Sequence, residues 1–245
     1  MQYLQPFLYF ARKPKTGHMN VLIGCLCPLV PFVGEMVLLG YRAQVSEELE
    51  RDPDLKDHPD IKLDDLMIYL QRGIWPFLAR MLFAIIAMPV AYALAFGVGF
   101  GVYQIAPEPI LGIAAGGVVL IICLILGTTV LWPMEYHAQM TRRFAPIEEL
   151  KFAIRFARVC WLSTFVAAIM YYVLFNLTTL VGYMLCIVGI YPAFVIQQMA
   201  EQHLMSQLYL LYLEEGGEPI RKHAELEDIV DAELLPRAFR AGERE

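Results

Sequence analysis

Between Arg158 and Glu201 the chain runs for 42 residues without an Asp, Glu, Lys or Arg, and from Met81 to Met134 it carries one charge, Glu108. A helix of about 20 consecutive apolar residues crosses the hydrocarbon layer of a bilayer, so each run is long enough for two crossings and a turn. The expectation is an all-α integral membrane protein built from helical hairpins. Residues 19–213 form its membrane domain, residues 1–18 an N-terminal interfacial arm, and residues 214–245 an acidic cytoplasmic tail.

Charge and cysteine usage narrow the chemistry. The net charge is -6, and the acids concentrate in Ser46 to Asp65 and Glu214 to Glu245, which argues against a nucleic-acid partner. Cys25, Cys27, Cys123, Cys160 and Cys186 all lie in apolar runs, where cysteine behaves as a small hydrophobe. Cys25 and Cys27 are too closely spaced for the usual zinc pair. No metal, no cofactor and no catalytic residue is expected, and Arg12, Lys13 and Lys15 behind an aromatic stretch do not make a cleavable leader.

Five apolar stretches can be drawn: Met19 to Tyr41, Met81 to Tyr103, Pro109 to Trp132, Val159 to Phe175 and Thr179 to Met199. The links at Gln104 to Glu108 and Asn176 to Thr178 contain no Lys or Arg, and all 19 basic residues fall elsewhere. Basic flanks mark the cytoplasmic side, which places both termini inside and the two short links outside. The first stretch conflicts with a simple crossing, because Arg12, Lys13 and Lys15 precede it and Arg42 and Arg51 follow it. Pro28, Pro31 and Gly34 resolve the conflict by breaking the helix into two short arms of a re-entrant hairpin, with a single kinked span as the alternative. The expected fold is thus four full spans plus this broken first segment.

The chain also repeats itself in part. Tyr41-Arg42-Ala43-Gln44 recurs as Tyr136-His137-Ala138-Gln139, with a third, frayed copy over Gln197 to Tyr212. Asp64-Asp65 after Pro59 and Glu148-Glu149 after Pro146 each open an amphipathic piece. Acids suit the first turn of a helix, and such pieces are expected to lie along the cytoplasmic interface. In the tail, Leu226, Ile229, Val230, Leu234 and Leu235 give one more short amphipathic segment.

Pro31-Phe32-Val33-Gly34-Glu35-Met36-Val37-Leu38-Leu39-Gly40-Tyr41-Arg42, an acidic Pro-containing linker, Asp64-Asp65-Leu66 and Arg72-Gly73 together resemble the prokaryotic membrane family known as domain of unknown function 4013. The resemblance is best over Asn20 to about Phe83 and extends to about Tyr212. A more distant likeness is to membrane domains attached to some glycerophosphodiesterases. The resemblance implies a multi-span protein of a bacterial or archaeal cytoplasmic (inner) membrane and implies no activity. Glu35 stands where an apolar or amide residue is expected.

An acid at membrane depth is costly unless paired or hydrated, so Glu35 is either a proton or cation site beside the break or an acid paired with Arg42, Arg80 or His137. With Glu135 these residues form the candidate intramembrane polar cluster. Gly97 with Gly101 and Gly112 with Gly116 give small faces, Gly99 lying between the first two, that let helices approach closely. Trp75, Trp132, Trp161, Tyr171 and Tyr172 fit an interfacial aromatic belt. The expected role is that of a non-enzymatic accessory, assembly or structural subunit, in contact with lipid and with other membrane subunits or further copies of itself. A small transporter or channel using the segment around Glu35 is the alternative, and a lipid-directed enzyme is a third.

Overall fold

The computed structural model describes residues 17–51, 59–184 and 189–221. The N-terminal arm before residue 17 and the amphipathic segment of the tail lie outside the described residues. Among the described residues six α-helices follow in order: α1 (Gly17–Leu26), α2 (Val33–Arg51), α3 (Leu66–Ile105), α4 (Pro109–Thr141), α5 (Pro146–Met184) and α6 (Ile190–Glu214). No strand occurs among the described residues. The stretches Leu63–Ile105, Pro109–Thr141 and Pro146–Met184 are each long and apolar enough to cross a membrane, so the chain is a membrane-embedded helical protein.

Helix length divides the molecule. The 40 residues of α3 extend about 60 Å at 1.5 Å per residue, twice the roughly 30 Å hydrocarbon layer. Its far half carries exposed Ile85, Ile86, Val90 and Phe96, and α4 begins with exposed Ile110 and Ile113. Its near half buries Tyr69, Gly73, Pro76, Phe77 and Ala79. The turns between helices follow local chemistry. Pro109 opens α4 behind Glu108, where its fixed φ is already helical and its missing N–H is not needed. Arg142 in the left-handed region ends α4, and the Ala145 N–H donates to Glu149 Oε1 at 2.9 Å ahead of α5.

The first segment is broken as its prolines predict, but α2 continues past Tyr41 to Arg51. Between α1 and α2 lie a 3-10 turn at Cys27–Leu29 and Phe32 at φ 63. A Cβ on Gly34 would stand 1.7 Å from the Cys27 carbonyl oxygen, so the chain folds back onto its own turn only with glycine there. The flanks then meet: Asn20 Nδ2 and Tyr41 Oη both donate to the Pro59 carbonyl, at 3.1 and 2.7 Å. Leu26, Leu29, Val30 and Phe32 are exposed around the tip.

Glycine also sets the crossing of α2 with α3. A Cβ on Gly40 would lie 1.8 Å from the Tyr69 carbonyl oxygen, and one on Gly73 1.7 Å from that of Met36. In the α3–α4 hairpin the close contact falls on Gly99 against Gly112 and Gly116. Gly97 and Gly101 do not take part; a Cβ at either meets open space. The reason is angular, since residues two apart on an α-helix point about 200° apart.

Three further expectations are corrected. The link at Asn176 to Thr178 is not a turn: α5 runs through it to Met184. Asn176 Nδ2 donates back to Tyr172 O and Thr178 Oγ1 to Leu174 O, so their polar groups are satisfied inside the helix. Gln197 Nε2 of α6 then donates to Phe175 O, Thr178 Oγ1 and Thr179 Oγ1. The amphipathic piece after Pro59 is not a separate helix, because the 3-10 turn at Leu63–Asp65 runs straight into α3. The piece after Pro146 is set apart by non-helical Cys160, at φ -117 and ψ 23, and it buries Phe152 and Phe156 while Leu150 and Ile154 stay exposed. Trp132 and Tyr171 belong to the core and not to an aromatic belt, their rings meeting edge to face at 5.4 Å.

Candidate functional site

Where α3 and α4 leave their apolar stretches, four helices converge on two arginines. Arg80, one residue before the uncharged half of α3, faces Glu135, three residues past Trp132 on α4. Arg80 Nη2 donates to Glu135 Oε2 at 2.8 Å, and Arg80 Nε donates to the second carboxyl oxygen. This is the bidentate fork that suits a guanidinium. Arg80 Nη1 donates to Glu35 Oε1 of α2 at 3.0 Å, and Nη2 also reaches Glu201 Oε1 of α6 at 3.3 Å.

Arg42, seven residues or about two turns past Glu35 on α2, serves the other side. Its Nη2 donates to Glu201 Oε1 at 3.1 Å, Nε to Gln202 Oε1 at 3.0 Å, and Nη1 to Gln198 Oε1. Glu135 Oε2 lies 3.8 Å from Arg42 Nη2, so the two guanidiniums share both buried acids. Gln202 completes the layer, accepting from Gln139 Nε2 at 3.3 Å and donating to Ser46 Oγ. Arg42 and Glu135 are each 2% exposed, and Glu35, beside the break, is 35% exposed. Farther along α2, Glu47 holds Arg72 at 3.5 Å and Arg142 at 2.8 Å.

Four of the five residues expected in the cluster are therefore brought together: Glu35, Arg42, Arg80 and Glu135. His137 is not. It lies two residues from Glu135, on the opposite side of α4, and its ring packs at 5.2 Å from that of Phe152. Gln139 of α4 was not singled out for the layer in the sequence, nor were the three members from α6, Glu201, Gln198 and Gln202. Their spacing of three and four residues places them on one face of α6, just past an apolar stretch, and that pattern was the available signal.

Chemically, the layer is three carboxyl groups bound by two permanently charged guanidiniums, with Gln198 and Gln202 accepting from Arg42 and Gln139 donating to Gln202. Every carboxyl group in it contacts an arginine. Among the described residues no group of three or more His, Cys, Asp or Glu side chains is placed to hold a metal ion. Outside the spans, burial pushes the His203 imidazole below its ordinary value. The fold and this layer define a membrane-embedded helical bundle closed by a buried ion-pair network. No family model, curated protein or solved structure matches the chain.

Proposed function

We propose that the protein is a non-enzymatic membrane subunit, an accessory, assembly or structural component that packs against other membrane proteins or further copies of itself. The observation that carries this reading is the closure of the polar layer: Arg80 and Arg42 hold Glu35, Glu135 and Glu201 at once. A group that relays protons or cations must be free for part of its cycle, whereas this network ties α2, α3, α4 and α6 together. A surface for a partner helix is available on the α3–α4 hairpin, where Gly97, Gly101 and Gly117 leave open space around their Cα atoms and a groove runs between Phe96, Phe100 and Ile113. Small residues facing outward let another helix approach closely.

The topology belonging to this reading has both termini on the cytoplasmic side of a prokaryotic inner membrane, four crossings, and a re-entrant hairpin made of α1 and the start of α2. Its support is the meeting of the hairpin's flanks at Pro59 and the exposed apolar tip at Leu26 to Phe32. The piece of α5 before Cys160 lies along the interface. The transporter reading draws on one observation, that Glu35 is the most exposed acid of the layer and adjoins the break at Phe32.

Purification of the tagged full chain in mild detergent separates the two. The subunit reading expects other membrane proteins, or additional copies, to co-purify at fixed stoichiometry. A monodisperse single-chain protein that conducts ions in proteoliposomes, with conduction lost in Glu35→Gln, overturns it.

A further inference from the structure

His137, displaced from the arginine network, lines a separate cleft of about 480 Å³ formed with Glu148, Lys151, Ile154, Arg155 and Arg158. The residue is 9% exposed, its ring packed against Phe152. His137 is thus the floor of the cleft rather than one of its open walls. The wall opposite is cationic for a periodic reason. Lys151, Arg155 and Arg158 stand four and three residues apart, on one face of the helix before Cys160.

The other charges facing the cleft are already engaged. Glu148, its one acid, pairs with Arg143 at 3.3 Å, and Arg155 donates to Glu218. Lys151 and Arg158 have no ion-pair partner among the described residues. Their position matters as well: Arg158 is the last charge before the 42-residue uncharged run, and Trp161 and Leu162, exposed just beyond it, are apolar surface. The cleft thus borders lipid, with exposed Ile154 between the cations. Basic pockets between helices at this depth suit anionic headgroups.

From this placement we infer that the cleft is a phosphate site for an anionic phospholipid, with Lys151 and Arg158 meeting the phosphate oxygens, His137 flooring the cleft, and Ile154 against the glycerol and first acyl carbons. Arg155 and Glu218 fix the outer wall. Zwitterionic headgroups carry the same phosphate with a cation that the three basic side chains repel, so the site selects net negative charge.

The test uses the full chain purified in detergent and titrated with phosphatidylglycerol, phosphatidylcholine or inorganic phosphate, read by native mass spectrometry and by thermal stability. Phosphatidylglycerol is expected to bind and to raise the melting temperature at concentrations where phosphatidylcholine does neither. The double variant Lys151→Gln, Arg158→Gln, altering two exposed side chains, is expected to weaken that binding about 30-fold, the loss of two cation contacts with a headgroup. Lys62→Gln, an exposed cation elsewhere, is expected to leave it unchanged. Equal binding of the two lipids, or unchanged phosphatidylglycerol affinity in the double variant, overturns the site. A response to inorganic phosphate with none to phosphatidylglycerol overturns the lipid assignment and leaves a free-phosphate site.

Discussion

Replacing Arg80 by Gln removes the one cation that touches all three carboxyl groups of the polar layer. Its bidentate partner Glu135 is 2% exposed and Arg80 itself 18%, and deleting one member of a buried pair costs about 3–5 kcal/mol because the other charge is stranded. The contact with Glu35 adds little, since that acid is 35% exposed and solvent screening holds such pairs to about 0–1 kcal/mol. Arg80→Gln is therefore expected to lose about 3–4 kcal/mol, leaving Glu135 and Glu201 to Arg42 alone. The reverse deletion is milder: Glu135→Gln leaves two acids to two arginines and is expected to lose about 1–3 kcal/mol, the range for an unsatisfied buried group. Glu35→Gln is expected to lose less than about 1 kcal/mol. In the double variant Arg80→Gln, Glu135→Gln, the stranded acid is gone, so the loss falls short of the sum by about 1.5 kcal/mol or more. Reversible unfolding of each variant in mixed micelles measures all four quantities. An Arg80→Gln protein within about 1 kcal/mol of wild type, or strict additivity in the double variant, refutes the reasoning.

The α2–α3 crossing gives a second expectation: Gly73→Val brings side-chain atoms to within 1.7 Å of the Met36 carbonyl, and forcing the helices apart is expected to lower stability by about 3 kcal/mol or more, while Gly97→Val, facing open space, changes it by less than about 1 kcal/mol. Gln197→Leu removes the donor shared by Phe175, Thr178 and Thr179 and is expected to cost about 1–3 kcal/mol, read in the same unfolding assay. Topology is checked with single cysteines in a background lacking the native ones: a cysteine at Glu108 reacts with an impermeant reagent from outside, one at Arg143 reacts only after permeabilisation, and one at Asn176, inside α5, reacts slowly from either side. For His203, burial favours the neutral imidazole, so its stabilising contribution is whole above the ordinary histidine pKa of about 6.5 and fades as the pH falls through that value. His203→Gln is expected to flatten the stability profile between about pH 7 and 5, and an unchanged profile contradicts the assignment.

Much of this protein is written in local sequence. Long uncharged runs specify helices in lipid, because both the transfer of side chains and the closure of backbone hydrogen bonds are properties of a segment by itself. Pro28 and Pro31 specify a break for the same reason, by removing donors and fixing φ. The need of Glu35, Arg80 and Glu135 for partners near membrane depth is equally local. What local sequence does not contain is the rotation of one helix against another. Arg80 and Glu135 are 55 residues apart, and Arg80 and Glu201 are 121 apart; their meeting depends on the register of α3, α4 and α6. Rotation also separates His137 from Glu135 and Gly99 from Gly97, since neighbours two apart cannot share a face. The turn expected at Asn176 was decided the same way. Asn and Thr read as turn formers, yet inside α5 they bond back to their own helix, and Gln197 of α6 satisfies the rest. The sequence alone determined that polar groups in this bundle require partners, and only the tertiary arrangement decided that Arg80 and Arg42 are those partners, because pairing is fixed by helix faces and register that no single segment encodes.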